Sequence, residues 1–177
     1  MAARVSIDAA SVIAALIAST APVGATQERS LCGVERWAVK TLQDRPRLLP
    51  VQTVTLRFLV TRPAPAALLT TRLAFERHVY KVTAAVTLVR REDDGDFHLV
   101  LRAGLLHMIA EAPSPGCTAR ATQVRRGQMR AARAAVHVCG RASITGVSFF
   151  DFKHGQTGVA PNAIELHPIL KFSCLSR

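Results

Sequence analysis

Aromatic residues make up only 5% of the 177-residue chain, with one Trp, one Tyr and seven Phe. So sparse a set of rings excludes a broad stacking platform for bases. Carboxylates are scarce as well: twelve Asp and Glu stand against 23 Lys and Arg, for a formal net charge of +11. No Cys-x-x-Cys or Cys–His pair has the spacing of zinc ligands, which excludes a sulfur-based structural zinc site. A P-loop, a dinucleotide-binding glycine fingerprint and a nucleophile elbow are all missing, so no cofactor is expected and no nucleophile is announced. Past residue 25, no apolar run approaches the length needed to cross a bilayer.

What is present describes a small packed protein. Hydrophobic residues are 49% of the chain and the mean hydropathy is +0.21, values that suit a buried core rather than disorder. The length suits one domain with extensions. Residues 1–25, MAARVSIDAASVIAALIASTAPVGA, begin with Arg4, run apolar from Ala9 to Ala21 and close on Val23-Gly24-Ala25. That is the form of a cleaved secretory signal, weakened by Asp8, and it implies a secreted or periplasmic protein whose mature chain lacks a transmembrane segment. Four cysteines follow it, Cys32, Cys117, Cys139 and Cys174, and an even count in an exported chain points to disulfides.

Residues 26–78 read as an N-terminal arm and 79–177 as the main body. In the arm, residues 34–44 suit a short helix or strand, and 51–62, with Val54, Leu56, Phe58 and Val60 alternating, prefer a strand. From Tyr80 the period-two alternation is clear. Tyr80, Val82, Ala84, Val86 and Leu88 share one face; Phe97, Leu99 and Leu101 share the next; Leu106, Met108 and Ala110 a third. Tight links at EDDGD and Ala103-Gly104 make these three strands a meander. Residues 118–136 change period to that of a helix capped by Thr118, with Val124, Gln128, Ala131 and Ala135 on one side and a stripe of Arg126, Arg130 and Arg133 on another. Strands over 142–152 and 164–172 end the chain.

Three strands, a helix and two strands is the order of an OB-fold, so the fold class expected is mainly β: a five-stranded OB-fold-like barrel with one helix between strands three and four, plus an N-terminal arm. Pro168 inside the last strand then marks a barrel corner or bulge. If the last two strands form a hairpin centred near Gly158, Cys139 lies beside Cys174. By elimination Cys32 joins Cys117 and pins the arm.

The segments VERWAVKT, EDDGDFHLVL and GVSFFDFKHGQTGVAPNAIELHP resemble a family of small exported bacterial proteins of unassigned function. The resemblance implies a shared scaffold and carries no catalytic residue to this chain.

Two constellations bear chemistry. Glu92, Asp93, Asp94, Asp96 and His98 pack oxygen ligands for a hard cation into one turn, and Asp94 with Asp96 are the candidate metal ligands. Their Asp-Gly-Asp resembles the calcium-holding start of the second strand in staphylococcal-nuclease-like proteins. However, the Arg-Leu-x-Gly-x-Asp-x-Pro-Glu-like segment of that family has no match here, and turn chemistry alone accounts for Asp-Gly. Near the C-terminus, Glu165 and His167 share a strand face with Asp151 and His154 close by, candidates for general acid–base work without a placed nucleophile. The balance favours binding over catalysis. The basic excess attracts an anionic polymer such as nucleic acid, or another envelope component. Arg126, Arg130, Arg133, His154 and the ring of Phe149 are the candidate contacts, and a metal-assisted hydrolase, a nuclease-like phosphodiesterase, is the competing reading.

Overall fold

The computed structural model describes residues 32–33, 35–153 and 155–176; the signal segment expected over 1–25 and the ligand-binding expectation on His154 lie outside the described residues. The arm contributes α1 (Trp37–Lys40), β1 (Val51–Thr53), α2 (Leu56–Val60) and a 3-10 turn, Ala74–Arg77. The body contains β2 (Val79–Arg91), β3 (Phe97–Ala103), β4 (Leu106–Ala112), α3 (Gln123–Ala135), β5 (Cys139–Phe150) and β6 (Ile164–Ser176).

The sheet runs β1-β2-β3-β4-β6-β5, and β5 pairs back onto β2 to close it. Pairs within the barrel are antiparallel except β4 with β6, which run parallel through Ile109↔Glu165 and Ala110↔Leu166. A closed five-stranded barrel with its helix between the third and fourth strands is the OB-fold. β2 serves two neighbours because it is long: its first half pairs with β5 and its second with β3, and irregularities between Ala84 and Leu88 let it bend from one to the other. Its alternation holds as expected, with Tyr80, Val82, Ala84 and Val86 buried and Lys81, Thr83 and Thr87 exposed. Leu99, Leu101, Met108, Ala110, Ile144 and Leu166 complete the interior.

The last hairpin pairs Phe150 with Ile164 and Phe149 with Glu165, after which bulges at Gly146 and Ala142 slip the register. Both disulfides form, Cys139–Cys174 with Cα atoms 5.9 Å apart and Cys32–Cys117 with 5.5 Å. The His167–Pro168 peptide is cis. Between β5 and β6 the chain folds back over the barrel, where Gly158 adopts φ +87 and a Cβ would stand 2.6 Å from Val100 Cγ2. Only glycine fits that approach.

Two local readings are corrected. The strand expected over 51–62 stops at Thr53, because Thr55 turns the chain into α2 by accepting the Phe58 N–H at 3.1 Å. α3 starts after Thr122, whose hydroxyl accepts the Arg125 N–H; Thr118 belongs to a preceding 3-10 turn. The face of α3 that packs down carries Met129 and Ala132, while Val124 is 70% exposed. A rotation of that size turns Arg133 toward the barrel. A second, smaller apolar cluster of Leu42, Val79, Ala121, Met129, Val147 and Leu170 lies outside the barrel and seats the arm and α3.

Candidate functional site

Alternation dictates where the polar residues go. With Leu99, Ala110, Ile144 and Leu166 pointing into the barrel, their neighbours His98, Glu111, Glu165 and His167 point outward. Register brings them together: His98 pairs with Glu111, Ile109 with Glu165, and Glu165 with Phe149. In an ordinary barrel this face would meet water. Here α1 and the 151–163 segment cover it, so His98 is 1% exposed, His167 0%, Glu165 3% and Phe149 0%.

The cover is held by ion pairs. Arg36 lies over the Phe149 ring at 4.7 Å and donates to both oxygens of Glu76, each at 2.6 Å. Lys40 lies over the same ring and donates to Asp151 at 2.7 Å. Phe149, expected as an exposed stacking ring, is therefore a buried support for two cations.

Beneath the cover runs a chain of acids and imidazoles. His98 Nε2 faces the Thr157 carbonyl at 2.8 Å and Nδ1 faces Glu111 Oε1 at 3.1 Å. Both partners are acceptors, so both ring nitrogens carry protons and His98 is an imidazolium. Glu111 Oε2 stands 3.0 Å from His167 Nδ1. His167 Nε2 stands 3.5 Å from Asp96 Oδ2, and Nδ1 is 3.9 Å from Glu165 Oε2. Asp96 is fixed through its other oxygen by the Ser114 N–H at 2.7 Å. The acidic turn and the final hairpin thus converge on His167.

This arrangement shifts the titrations. Burial works against charge on His167, but the Glu111 carboxylate and the oxygens of Asp96 and Glu165 outweigh it and hold the imidazole well above its usual range. His98 is raised in the same way by Glu111, Thr157 and Glu92. Burial pushes Glu165 up to about 7, aided by the charges of Glu111 and Asp151. Glu111 runs opposite: burial raises it, yet His167, His98 and Lys40 hold its carboxyl well below the usual carboxylate range.

Stability then depends on pH with a definite sign. His98, His167 and Glu165 are favoured protonated in the fold, so their contribution is complete below the unfolded values and is lost as pH rises through the folded ones. Glu111 contributes above its unfolded value of 4.5 and loses that contribution as pH falls. In chelator-containing buffer the Tm is therefore expected to peak near pH 5, on typical carboxylate and imidazole pKa values, and to fall toward pH 9. A Tm that climbs steadily from pH 5 to 9 contradicts this assignment.

The expected site residues divide clearly. Asp96, Glu165 and His167 meet in one place. Asp151 reaches the cluster's edge but is held by Lys40, and Asp94, half-buried, accepts the Asp96 N–H at 3.0 Å. Arg126 and Arg130 stay exposed on α3. Arg133 does not: it donates to the carbonyls of Ala112 and Gly95 at 2.6 and 2.7 Å and stacks on Phe97, which makes it a brace rather than a ligand contact. Glu111, Lys40 and Arg36 were not singled out from the sequence. Glu111 had a usable signal, since the Gly104 link sets the register that places it opposite His98.

No protein-family model matches the chain, and no curated protein matches it. Among solved structures it is similar to the aspartyl-tRNA synthetase of Entamoeba histolytica, with 14% identity, a TM-score of 0.46 and coverage of 73% of this chain and 24% of that one. A protein assigned as an aspartyl-tRNA synthetase of Leishmania major Friedlin gives 10% identity and 0.46, covering 73% and 23%. The asparaginyl-tRNA synthetase of Entamoeba histolytica gives 10% and 0.41, covering 73% and 24%. The chain thus spans about a quarter of the length of each.

Proposed function

We propose that the chain is a small exported binding protein that engages an anionic polymer, such as nucleic acid, through its cationic exterior. One observation carries the reading: the fold withdraws its acids and leaves its bases outside. Of the described carboxylates, Glu76, Asp96, Asp151 and Glu165 are buried and Glu92, Asp94 and Glu111 half-buried, leaving Glu35, Asp44 and Asp93 exposed. Lys81, Arg126, Arg130, Arg141, Lys153 and Lys171 are exposed, as are several further arginines. The outer field is thus more positive than the net charge implies, and such a field concentrates polyanions.

A groove of about 690 Å³ lies between α3 and the outer face of β2, β5 and β6. Lys81, Thr145 and Lys171 lie in one cross-strand row, with Arg125 and Gln128 of α3 facing them. Among the described residues no carboxylate pairs with Lys81 or Lys171. Hydroxyls and cations without stacked rings suit backbone phosphate or sulfate rather than base readout. Export is supported by the two disulfides, which persist in oxidising compartments.

The purified protein is expected to bind heparin resin at about 0.15 M salt, an ionic strength that already screens weaker surface attraction. Charge reversal of Lys81 and Lys171 should lower the salt needed for elution. Flow-through of the unmodified protein contradicts the proposal.

The hydrolase reading is weaker. A catalytic ion keeps a position open for water and substrate, whereas His167, Asp96 and Glu165 lie under the arm at 0%, 1% and 3% exposure.

A further inference from the structure

Four polar atoms at the centre of the cluster lack a hydrogen bond of good geometry: Asp96 Oδ2, Glu165 Oε2 and both ring nitrogens of His167. All belong to residues with 3% exposure or less. Buried groups of this kind are nearly always satisfied, because leaving them otherwise costs free energy.

We propose that Glu111, Glu165 and His167 bind one divalent transition cation, Zn2+ or Mn2+, and that Asp96 orients the imidazole for it. This goes beyond the polyanion reading and is independent of it. Glu111 Oε2 and Glu165 Oε2 lie 3.0 and 3.9 Å from His167 Nδ1. Two donors each bonded at about 2.1 Å to one ion stand roughly 2.9 to 4.2 Å apart, depending on the angle between them, so each carboxylate taken singly stands at a separation from Nδ1 that a shared ion spans. Asp96, Glu111 and His167 each offer a ligand atom within 4.8 Å of the others, a group that leaves Glu165 outside, so the Glu165 carboxylate must swing inward as the ion binds.

In Glu111 and Asp96 the second oxygen is already engaged in a way that leaves the inner one free. Glu111 gives Oε1 to His98 and keeps Oε2. Asp96 takes the Ser114 N–H on Oδ1 and presents Oδ2 to His167 Nε2. A carboxylate accepting the far N–H of a ligating imidazole fixes its tautomer and ring orientation, the arrangement that metal-bound histidines commonly show. Two carboxylates balance a divalent charge. One nitrogen with two oxygens favours a borderline transition ion over calcium, which takes six to eight oxygens, or magnesium, which retains several waters. The arm closes over the set, so the ion is structural: it joins β4 and β6 beneath Lys40 and Phe149.

The full-length mature protein, stripped with chelator and dialysed, is titrated calorimetrically with zinc chloride and manganese chloride. One ion per chain is expected. Glu165→Gln and His167→Gln should each weaken binding at least tenfold, and Asp96→Asn, a positioning change, by about 10–100-fold. Asp93→Asn, in the exposed part of the turn, should leave it unchanged. X-ray absorption on the zinc-loaded wild type should show one imidazole among oxygen donors, and this readout decides the matter if near-ultraviolet circular dichroism shows that the variants do not fold. No uptake by the folded wild type, uptake indifferent to both Glu165→Gln and His167→Gln, or a shell without imidazole overturns the proposal.

Discussion

Replacing Glu76 with alanine is expected to cost the fold about 3–5 kcal/mol, because it strands a buried guanidinium. Glu76 is fully buried and Arg36 is 8% exposed. Their pairing is bidentate, and each also ties down backbone. Glu76 accepts the N–H of Leu73 and of Phe150, at 2.8 and 3.1 Å. Arg36 donates to the carbonyls of Leu69, Thr71 and Phe150. One ion pair therefore joins α1, the segment before β2 and the end of β5. Urea denaturation should register the loss, and for a domain of this size the Tm should drop by about 10 °C. Arg36→Met together with Glu76→Met should be less damaging than Glu76→Ala alone, since removing both charges avoids the unpaired one. A double variant that is worse by the sum of the two single changes contradicts this account of the arm.

The second large effect concerns the Cys32–Cys117 disulfide. It closes a loop with a sequence separation of 85, and on the chain-entropy relation its removal by serine should cost about 4.6 kcal/mol. It links the start of the arm to the turn that follows β4. Without it, α1 loses its tether and the cluster beneath should open to water before the barrel itself unfolds. Hydrogen exchange read by mass spectrometry should show earlier deuterium uptake at residues 35–44, 96–98 and 164–167 than in β2. Uniform uptake across these segments and β2 would mean the disulfide serves the barrel as a whole and not the cover.

Much of the barrel was legible in the sequence because its strands alternate strictly. Tyr80, Val82, Ala84 and Val86 declare an inner face without any neighbour's help. The helix after three strands, and the hairpin that sets Cys139 against Cys174, follow from order and register. The site was half legible for the same reason. Alternation places Glu165 and His167 outward, and it places His98 and Glu111 outward too, but a single glutamate in an apolar strand carries no periodic signal of its own.

The arm was the illegible part. α1 is four residues long, begins at an Arg36 with φ of 49 and has no side-chain cap. A helix that short is held by tertiary contacts rather than by propensity, so composition says nothing about what it covers. Once it covers the outer face, an outward-facing Phe149 becomes buried, and a stripe of arginines splits. Arg133 turns in to brace Phe97 while Arg126 and Arg130 stay out. The direction a helix faces depends on what it packs against, and here Met129 packs in the second apolar cluster and Ala132 against the barrel core.

The segregation of charge, acids under the arm and bases outside, is most directly tested by fluorescence anisotropy of a labelled single-stranded oligonucleotide titrated with the protein over a series of salt concentrations. With three to five cations at the groove and α3 engaged, log K should fall linearly with log salt at a slope of about −2 to −4. Exchanging Lys81, Arg125 and Lys171 for glutamate should abolish binding. Affinity that does not change with salt, or that survives the triple exchange, would contradict a protein whose surface works by charge.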